Sequence, residues 1–141
     1  MSPFALIYPM FAMVLLTAMA LVILFRSRVR AVRQGKVTTK YFRIYQGETE
    51  PEETAKPARH FANLFEAPVL FYAGCLAAMV THDGGALIQT LAWLYVAARA
   101  VHTYIHLGAN RLGRRINAYF ASWLVLMALW VHVVVHVALT A

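Results

Sequence analysis

The stretch PARHFANLFEAPVLFY, residues 57–72, places polar side chains inside an apolar part of the chain. Arg59, Asn63 and Glu66 are spaced four and then three residues apart, which predicts that they share one face of a helix. A guanidinium group binds carboxylates through paired hydrogen bonds, and a carboxylate binds amines. This stripe therefore carries the residue types that recognise a small zwitterionic or anionic ligand.

A second polar stripe lies in a later apolar segment. Arg99, His102 and His106 recur at helical spacing and are followed at the end of the segment by Arg111, Arg114 and Arg115. Ionisable side chains are costly in lipid, so those within apolar segments tend to face protein and to mark a function. The two stripes together predict a cationic pocket with one carboxylate. Such a pocket suits a small polar anion that also carries an amine.

A structural ion pair is the alternative interpretation of the central residues. Glu66 and Arg99 are the charges well inside their two segments, and a buried charge needs a partner. Asn63 would then bridge neighbouring helices through hydrogen bonds. The pair leaves the other polar residues around it unexplained, whereas the pocket accounts for them.

Two histidine pairs suggest a further alternative. His102 and His106 are four residues apart, and so are His132 and His136. Imidazoles at this spacing can ligate zinc, and histidines on facing membrane helices can ligate haem. The second pair lies near the opposite end of its segment from the arginine-rich turn, so one site that unites both pairs is not expected. We predict no metal site and assign His132 and His136 to packing or to the membrane interface.

The composition predicts the elements that carry these residues. Of 141 residues, 61% are hydrophobic and only 13% are charged, whereas a soluble domain has about a quarter of its residues charged. Four segments are long enough to cross roughly 30 Å of hydrocarbon. The sequence therefore predicts an all-α membrane protein, a single four-helix transmembrane domain over residues 1–141, with spans at 4–25, 61–80, 86–107 and 116–139.

The basic residues are distributed unevenly between the connections. Seven of them lie between Arg26 and Arg43, three lie at 111–115, and the THDGG turn at 81–85 has no Lys or Arg. The positive-inside rule then predicts that the 26–58 loop is cytoplasmic and that both termini lie on the non-cytoplasmic side. Because the basic residues flank apolar segments, anionic lipid headgroups explain the net charge of +7 better than nucleic acid. We expect a multi-pass integral membrane protein, in the inner membrane if the source is bacterial.

Local features refine this topology. Pro68 lies inside the second segment and predicts a kink, because it frees the carbonyl of Leu64. The 26–58 loop is expected to be a solvated, partly helical connector, with a role for its first arginines at the mouth of the pocket as the alternative. Cys75 lies in an apolar run and is expected to be a small buried hydrophobe.

The two stripes resemble motifs of the MAPEG family, the membrane-associated proteins in eicosanoid and glutathione metabolism. RHFANLFE, residues 59–66, is similar to the Arg-x-x-x-Asn-x-x-Glu pattern of the family's second helix. RAVHTYIHLGANRLGRR, residues 99–115, is similar to one branch's third helix and the arginine-rich turn after it. The similarity covers residues 59–122. Both motifs occur in the expected helices of a chain with four predicted spans, which makes the resemblance specific.

The resemblance implies a homotrimer that binds glutathione, its cosubstrate, in the cytoplasmic half of the interface between subunits. By position, Arg59 would bind a glutathione carboxylate, Asn63 would hold its backbone, and Glu66 would meet its amino end or orient Arg99. Arg115 would be the catalytic arginine that stabilises the thiolate. The remaining binding residues implied by position are Arg99, His102, His106 and, in a looser alignment, Arg30 or Arg26.

Three positions depart from the family pattern. His106 stands where family enzymes usually have tyrosine, Ile116 where some members have serine, and Ala62 where some have a polar residue. The anion-binding residues are kept, while part of the thiol-activating surroundings is changed. We predict a glutathione-dependent transferase or peroxidase that acts on hydrophobic electrophiles or lipids. The alternative is a non-catalytic, lipid- or glutathione-binding membrane protein of the same fold.

Overall fold

A computed structural model describes residues 2–108 and 110–140, and all regular structure within these ranges is helical. This confirms the predicted all-helical class. A short 3-10 turn at Pro3–Leu6 leads directly into the first helix. The α-helices are α1 (Ile7–Arg33), α2 (Thr39–Ile44), α3 (Glu52–Asn63), α4 (Ala67–Val80), α5 (Ala86–Leu107) and α6 (Leu112–Thr140).

Three helical stretches of the described chain are long and apolar enough to cross a membrane, namely Pro3–Arg33, Glu52–Val80 and Leu112–Thr140. Helix α5 keeps the predicted bounds of 86–107 and is long enough to cross a membrane, but it is not apolar enough to count among these three. Its hydropathy is lowered by polar residues that it buries against its neighbours: Gln89, Arg99, His102, Thr103 and His106. The helix that carries the second polar stripe is therefore less apolar than the three candidate spans.

Large apolar side chains cover the outside of the long helices. Val80 is 77% exposed, Leu124 is 72% exposed and Phe25 is 66% exposed. An apolar surface of this extent is unfavourable in water but compatible with lipid tails, which are as apolar as the side chains themselves. The exterior agrees with a membrane protein.

The interior is held by close helix packing. The rings of Phe71 in α4 and Tyr95 in α5 stack with their centroids 4.5 Å apart. Gly74 lets α4 approach α6, because a Cβ at this position would lie 2.6 Å from Cδ2 of Leu129. Trp130 Nε1 donates a 3.1 Å hydrogen bond to the carbonyl of Leu70 across the same contact. Small residues at helix contacts allow such close packing in membrane proteins.

The second segment differs from the predicted single kinked helix over 61–80. It begins earlier, with α3 at Glu52, and it is interrupted at residues 64–66 before α4 begins. Pro68 lies in the first turn of α4, where its missing N–H costs nothing. Continuing α3 through this point would place the proline ring against the carbonyl of Leu64. The chain therefore turns upstream of Pro68, and Phe65 N donates to the carbonyl of Ala62 at 2.9 Å.

The 26–58 connection is shorter than predicted, because α1 continues to Arg33 and α3 begins at Glu52. Between them, α2 supplies the partly helical character that the sequence suggests. Lys36 Nζ forms a 2.8 Å salt bridge with Glu53 and so ties the connector to the first turn of α3. The Arg28 guanidinium lies over the Phe42 ring, 5.1 Å from its centroid.

The bundle has two chemically different ends. The end where α1 stops and α6 begins carries the arginines, and we call it the basic end. The opposite end holds residues 81–85, and we call it the turn end. Gln89 Nε2 donates to the carbonyl of Ser2 at 3.4 Å and His136 Nε2 donates to that of Thr81 at 3.2 Å. Both ends of the described chain therefore lie near the turn end.

Candidate functional site

An open cavity of about 310 Å³ lies at the basic end, between α3, α5 and α6. Its polar lining residues are Arg59, Asn63, His102, His106 and Arg115. The rest of the lining is apolar or aromatic and consists of Ile116, Tyr119 and Phe120. The structure thus brings together five of the eight residues that the sequence nominates for the site.

Helix α3 supplies one wall of this cavity. Arg59 is exposed at the surface, and Asn63 is the last residue of the helix and is half-buried. Glu52 and Glu53 lie in the first turn of α3, where acidic side chains interact favourably with the helix dipole. Lys56 Nζ donates a 2.6 Å hydrogen bond to the carbonyl of Gly108, which ties this helix to the end of α5. The sequence analysis did not identify this role of Lys56.

The second wall comes from α5. His102 and His106 lie one helical turn apart, line the cavity and are almost completely buried. The hydroxyl of Thr103 donates to the carbonyl of Arg99 at 2.8 Å, and Thr103 does not line the cavity. The Tyr119 ring of α6 lies with its centroid 5.8 Å from that of His102. The predicted proximity of the two histidines to the arginine-rich turn is therefore realised.

Arg115 is held by the turn between α5 and α6. Its Nη1 donates a 2.9 Å hydrogen bond to Oδ1 of Asn110. Asn110 has a φ of 48°, in the left-handed region that asparagine tolerates better than most residues. Sequence reasoning missed Asn110, although an asparagine soon after a helix-ending glycine is a usable signal for such a turn. This hydrogen bond orients the guanidinium beside the cavity.

Arg99 lies beneath the cavity and is fully buried. Its Nη2 donates a 3.2 Å hydrogen bond to the main-chain carbonyl of Asn63, whereas its Nε and Nη1 have no hydrogen-bond partner in the described chain. The predicted Glu66–Arg99 ion pair is wrong, because no salt bridge joins these two residues. The break after Asn63 moves Glu66 off the helix face and leaves the carbonyl of Asn63 free to accept from Arg99.

Glu66 and Arg30 lie outside this cavity. Glu66 is an exposed residue that precedes α4, so the three residues of the first stripe do not share one helix face. Arg30 lines a separate crevice between α1 and α3, together with Arg26 and Glu53. The binding roles predicted for Arg99, Glu66 and Arg30 stay predictions, and these residues would reach a ligand only from outside or below the cavity.

His60 is a buried residue that the sequence analysis did not use. Its ring is 0% exposed, with its centroid 5.0 Å from that of His106 and 5.7 Å from that of His102. Neither of its ring nitrogens has a hydrogen-bond partner within the described chain. His60 could have been predicted to point away from the face that carries Arg59, since neighbouring residues on an α-helix point about 100° apart.

The second histidine pair lies at the turn end and is hydrogen-bonded. His132 Nε2 donates to Oδ2 of Asp83 at 2.8 Å, and Asp83 Oδ1 accepts from the N–H of Gly85 at 3.1 Å. His136 binds the carbonyl of Thr81, as described above. These contacts join α6 to the turn between α4 and α5. Among the described residues, no group of three His, Cys, Asp or Glu side chains is placed to hold a metal ion.

The cavity is chemically suited to an anion. Arg59 and Arg115 supply guanidinium groups, and Asn63 supplies an amide. The two imidazoles add nitrogens that can act as hydrogen-bond donors or acceptors. Arginine binds carboxylates bidentately. Among the described residues, none that lines this cavity carries a carboxylate. A helical bundle with an apolar exterior and a cationic cavity at its basic end has the features of a membrane protein whose cavity is chemically compatible with a polar anion.

The chain belongs to the MAPEG family, whose model matches residues 6–135, nearly its whole length. The resemblance carried by the two polar stripes is thereby confirmed. Comparisons with curated proteins and with solved structures each gave no significant match.

Proposed function

We propose that this protein is a glutathione-dependent transferase or peroxidase that acts on hydrophobic electrophiles within the membrane. MAPEG proteins are generally glutathione-using, trimeric membrane proteins. The single observation that carries the proposal is the cavity that gathers Arg59, Asn63, His102, His106 and Arg115. The arginines in this lining suit the two carboxylates of the glutathione peptide.

The proposed roles follow from the positions of these residues. Arg59, exposed at the surface, binds one glutathione carboxylate, and Asn63 holds the peptide backbone. Arg115, fixed by Asn110, stabilises the thiolate. A free thiol has a pKa of about 8.5, and a nearby cation lowers that value and increases the thiolate fraction at neutral pH. The thiolate then attacks the electrophile, a carbon–sulfur bond forms, and the leaving group departs.

A trimer explains the residues that lie outside the cavity. The cavity of one subunit is open, and it has no contribution from Glu66 or Arg30. In the proposed assembly, glutathione lies between subunits, and Arg30 reaches it from a neighbouring copy. Glu66 stands at the exposed break between α3 and α4, where it would meet the amino end of a ligand or another subunit.

The proposed membrane topology has four spans, with α5 as the fourth membrane-crossing helix beside the three apolar ones. Its polar face is buried against α3 and α6, which is how polar residues are accommodated at membrane depth. The basic end would face the cytoplasm and both termini the other side, because cytoplasmic connections are rich in Lys and Arg. Glutathione would enter from the cytoplasm and the hydrophobic substrate from the lipid.

Turnover tests the proposal directly. Purified protein in nanodiscs, supplied with glutathione and either an aryl halide or a lipid hydroperoxide, should form conjugate or reduce the peroxide above the protein-free rate. Arg115→Ala should lower this activity about 100-fold. Arg114→Ala is the matched control, because Arg114 is an exposed arginine in the same turn that does not line the cavity. Wild-type turnover no greater than the blank would reject the enzymatic function.

A non-catalytic binding protein is the second candidate. Ile116 places an apolar side chain in the cavity wall, directly after the proposed thiolate-stabilising arginine. An apolar neighbour contributes no hydrogen bond to a thiolate. Calorimetry separates the two candidates. Heat of glutathione binding without any turnover favours the binding protein. If neither binding nor turnover is detected, both proposed functions are weakened.

A further inference from the structure

Three histidine rings form a compact cluster behind the cavity wall. His60 of α3 packs against His102 and His106 of α5, and the centroids of the last two rings are 5.6 Å apart. His102 and His106 line the cavity, whereas His60 does not. The cluster therefore has a cavity side, formed by two imidazoles, and a buried side, formed by the third.

The nitrogens on the buried side have no hydrogen-bond partner in the described chain. They are both ring nitrogens of His60 and the Nδ1 atoms of His102 and His106. Leaving buried polar atoms unpaired is unfavourable. These four nitrogens, on three adjacent rings, are the available partners for one another. The described residues offer no metal-binding group of three in their place.

The electrostatic surroundings favour neutral imidazoles. Lys56 on α3, Arg99 on α5 and Arg115 on α6 act on these rings as cations, and Arg59 lines the same cavity. A further positive charge among them, away from water, would be repelled and poorly solvated. These surroundings therefore disfavour a protonated imidazole at any of the three rings.

A neutral imidazole has one N–H donor and one bare nitrogen acceptor. If His60 pairs with both Nδ1 atoms, it accepts from one of them and donates to the other. We propose that His60 is a positioning residue that holds His102 and His106 in opposite tautomers. The histidine whose Nδ1 donates to His60 presents a bare Nε2 to the cavity. The histidine whose Nδ1 accepts from His60 presents an Nε2–H.

The consequence for catalysis rests on the proposed function. The bare Nε2 accepts a hydrogen bond from the glutathione thiol and so orients its sulfur towards Arg115, which stabilises the sulfur anion once the S–H bond breaks and the proton passes to water. The Nε2–H of the other ring donates a hydrogen bond to the ligand. After the carbon–sulfur bond forms, the leaving group departs as an anion. Hydrogen-bond acceptor and hydrogen-bond donor are thus supplied by one pair of identical side chains.

The tautomers are measured directly by nitrogen NMR of ligand-free protein labelled with 15N-histidine in lipid bilayers. His102→Gln and His106→Gln identify the two sets of resonances. We expect one ring protonated at Nδ1 and the other at Nε2. The same tautomer at both positions, or a protonated imidazolium at either, would overturn the proposal. This measurement needs no glutathione, so it is independent of whether the protein turns over.

Two variants of His60 test its role. His60→Leu removes both hydrogen-bonding groups, whereas His60→Gln keeps one donor and one acceptor in its amide. We expect His60→Leu to abolish the tautomer difference and to lower kcat at least tenfold, with KM changed less than twofold and the pH–rate profile altered. His60→Gln should restore part of each property. Unchanged tautomers in His60→Leu contradict the inference, and if that variant does not fold, the wild-type and His60→Gln spectra decide it.

Opposed tautomers without glutathione turnover would leave the positioning role intact and reject the proposed function. Turnover with identical tautomers would support the function and reject the role of His60. The two failures are therefore distinguishable in the same set of samples.

Discussion

Two histidine pairs with the same i, i+4 spacing lie at opposite ends of this bundle and have different environments. At the turn end, His132 binds Asp83 and His136 binds a carbonyl, so each ring is fixed by a protein partner. At the basic end, His102 and His106 line an open cavity and their Nδ1 atoms have no partner in the described chain. The spacing is the same, and the hydrogen-bond environment separates a structural pair from a candidate functional one.

The largest effect is expected at the cavity, for Arg115→Ala. Removing the cation beside the thiol should lower kcat/KM about 100-fold, which corresponds to about 2.7 kcal/mol of transition-state stabilisation. Steady-state kinetics with glutathione measures the change, and Arg114→Ala should remain within twofold of wild type. Equal losses in both variants would mean that general positive charge, and not this position, is responsible.

Asp83→Ala should mainly reduce stability, because it leaves His132 and the N–H of Gly85 without their shared partner. A loss of about 1–3 kcal/mol in the free energy of unfolding is expected, because two hydrogen bonds of about 0.5–1.5 kcal/mol each are lost. Denaturant titration in detergent measures it. Asp83→Asn, which keeps an acceptor, should lose less, and glutathione affinity of the folded protein should be unchanged in both. Weaker glutathione binding by the Asp83 variants would show that the turn end also affects the ligand, and that the two ends do not have separate roles.

Replacing the histidine pairs in turn compares the two ends most directly. The double variant His102→Gln with His106→Gln should weaken glutathione binding about tenfold, or about 1.4 kcal/mol, since polar contacts in the cavity are altered. The double variant His132→Gln with His136→Gln should keep the wild-type dissociation constant. Calorimetry on both proteins gives the comparison. Equal dissociation constants in the two variants would show that neither pair contacts the ligand.

The smallest effect on stability is expected for Glu66→Gln. Because Glu66 is exposed and makes no ion pair with Arg99, its replacement should change the free energy of unfolding by no more than about 0.5 kcal/mol. Thermal unfolding in detergent measures this, with Asp83→Asn as the comparison at the other end. A loss of several kcal/mol would restore the ion-pair interpretation of Glu66.

Much of the candidate site could be predicted from the sequence, because helical spacing sets which side chains share a face. Arg99, His102 and His106 lie on the buried face of a helix with the predicted bounds of 86–107. The first stripe was less predictable. Its three residues have helical spacing, yet the proline two residues after Glu66 moves the helix break upstream and separates Glu66 from Arg59 and Asn63. Local spacing therefore describes a face only as far as the helix continues.

The sequence by itself determined the helical class, the membrane character and the concentration of cationic residues at one end. These follow from composition, hydrophobic length and the period of the helix, which are local properties of the chain. Tertiary structure alone decided which polar groups meet. Arg99 binds the carbonyl of Asn63 instead of Glu66, and His60 joins two histidines more than 40 residues away in the sequence. Partners across helices depend on where each helix ends and how it packs, and no local pattern contains that information.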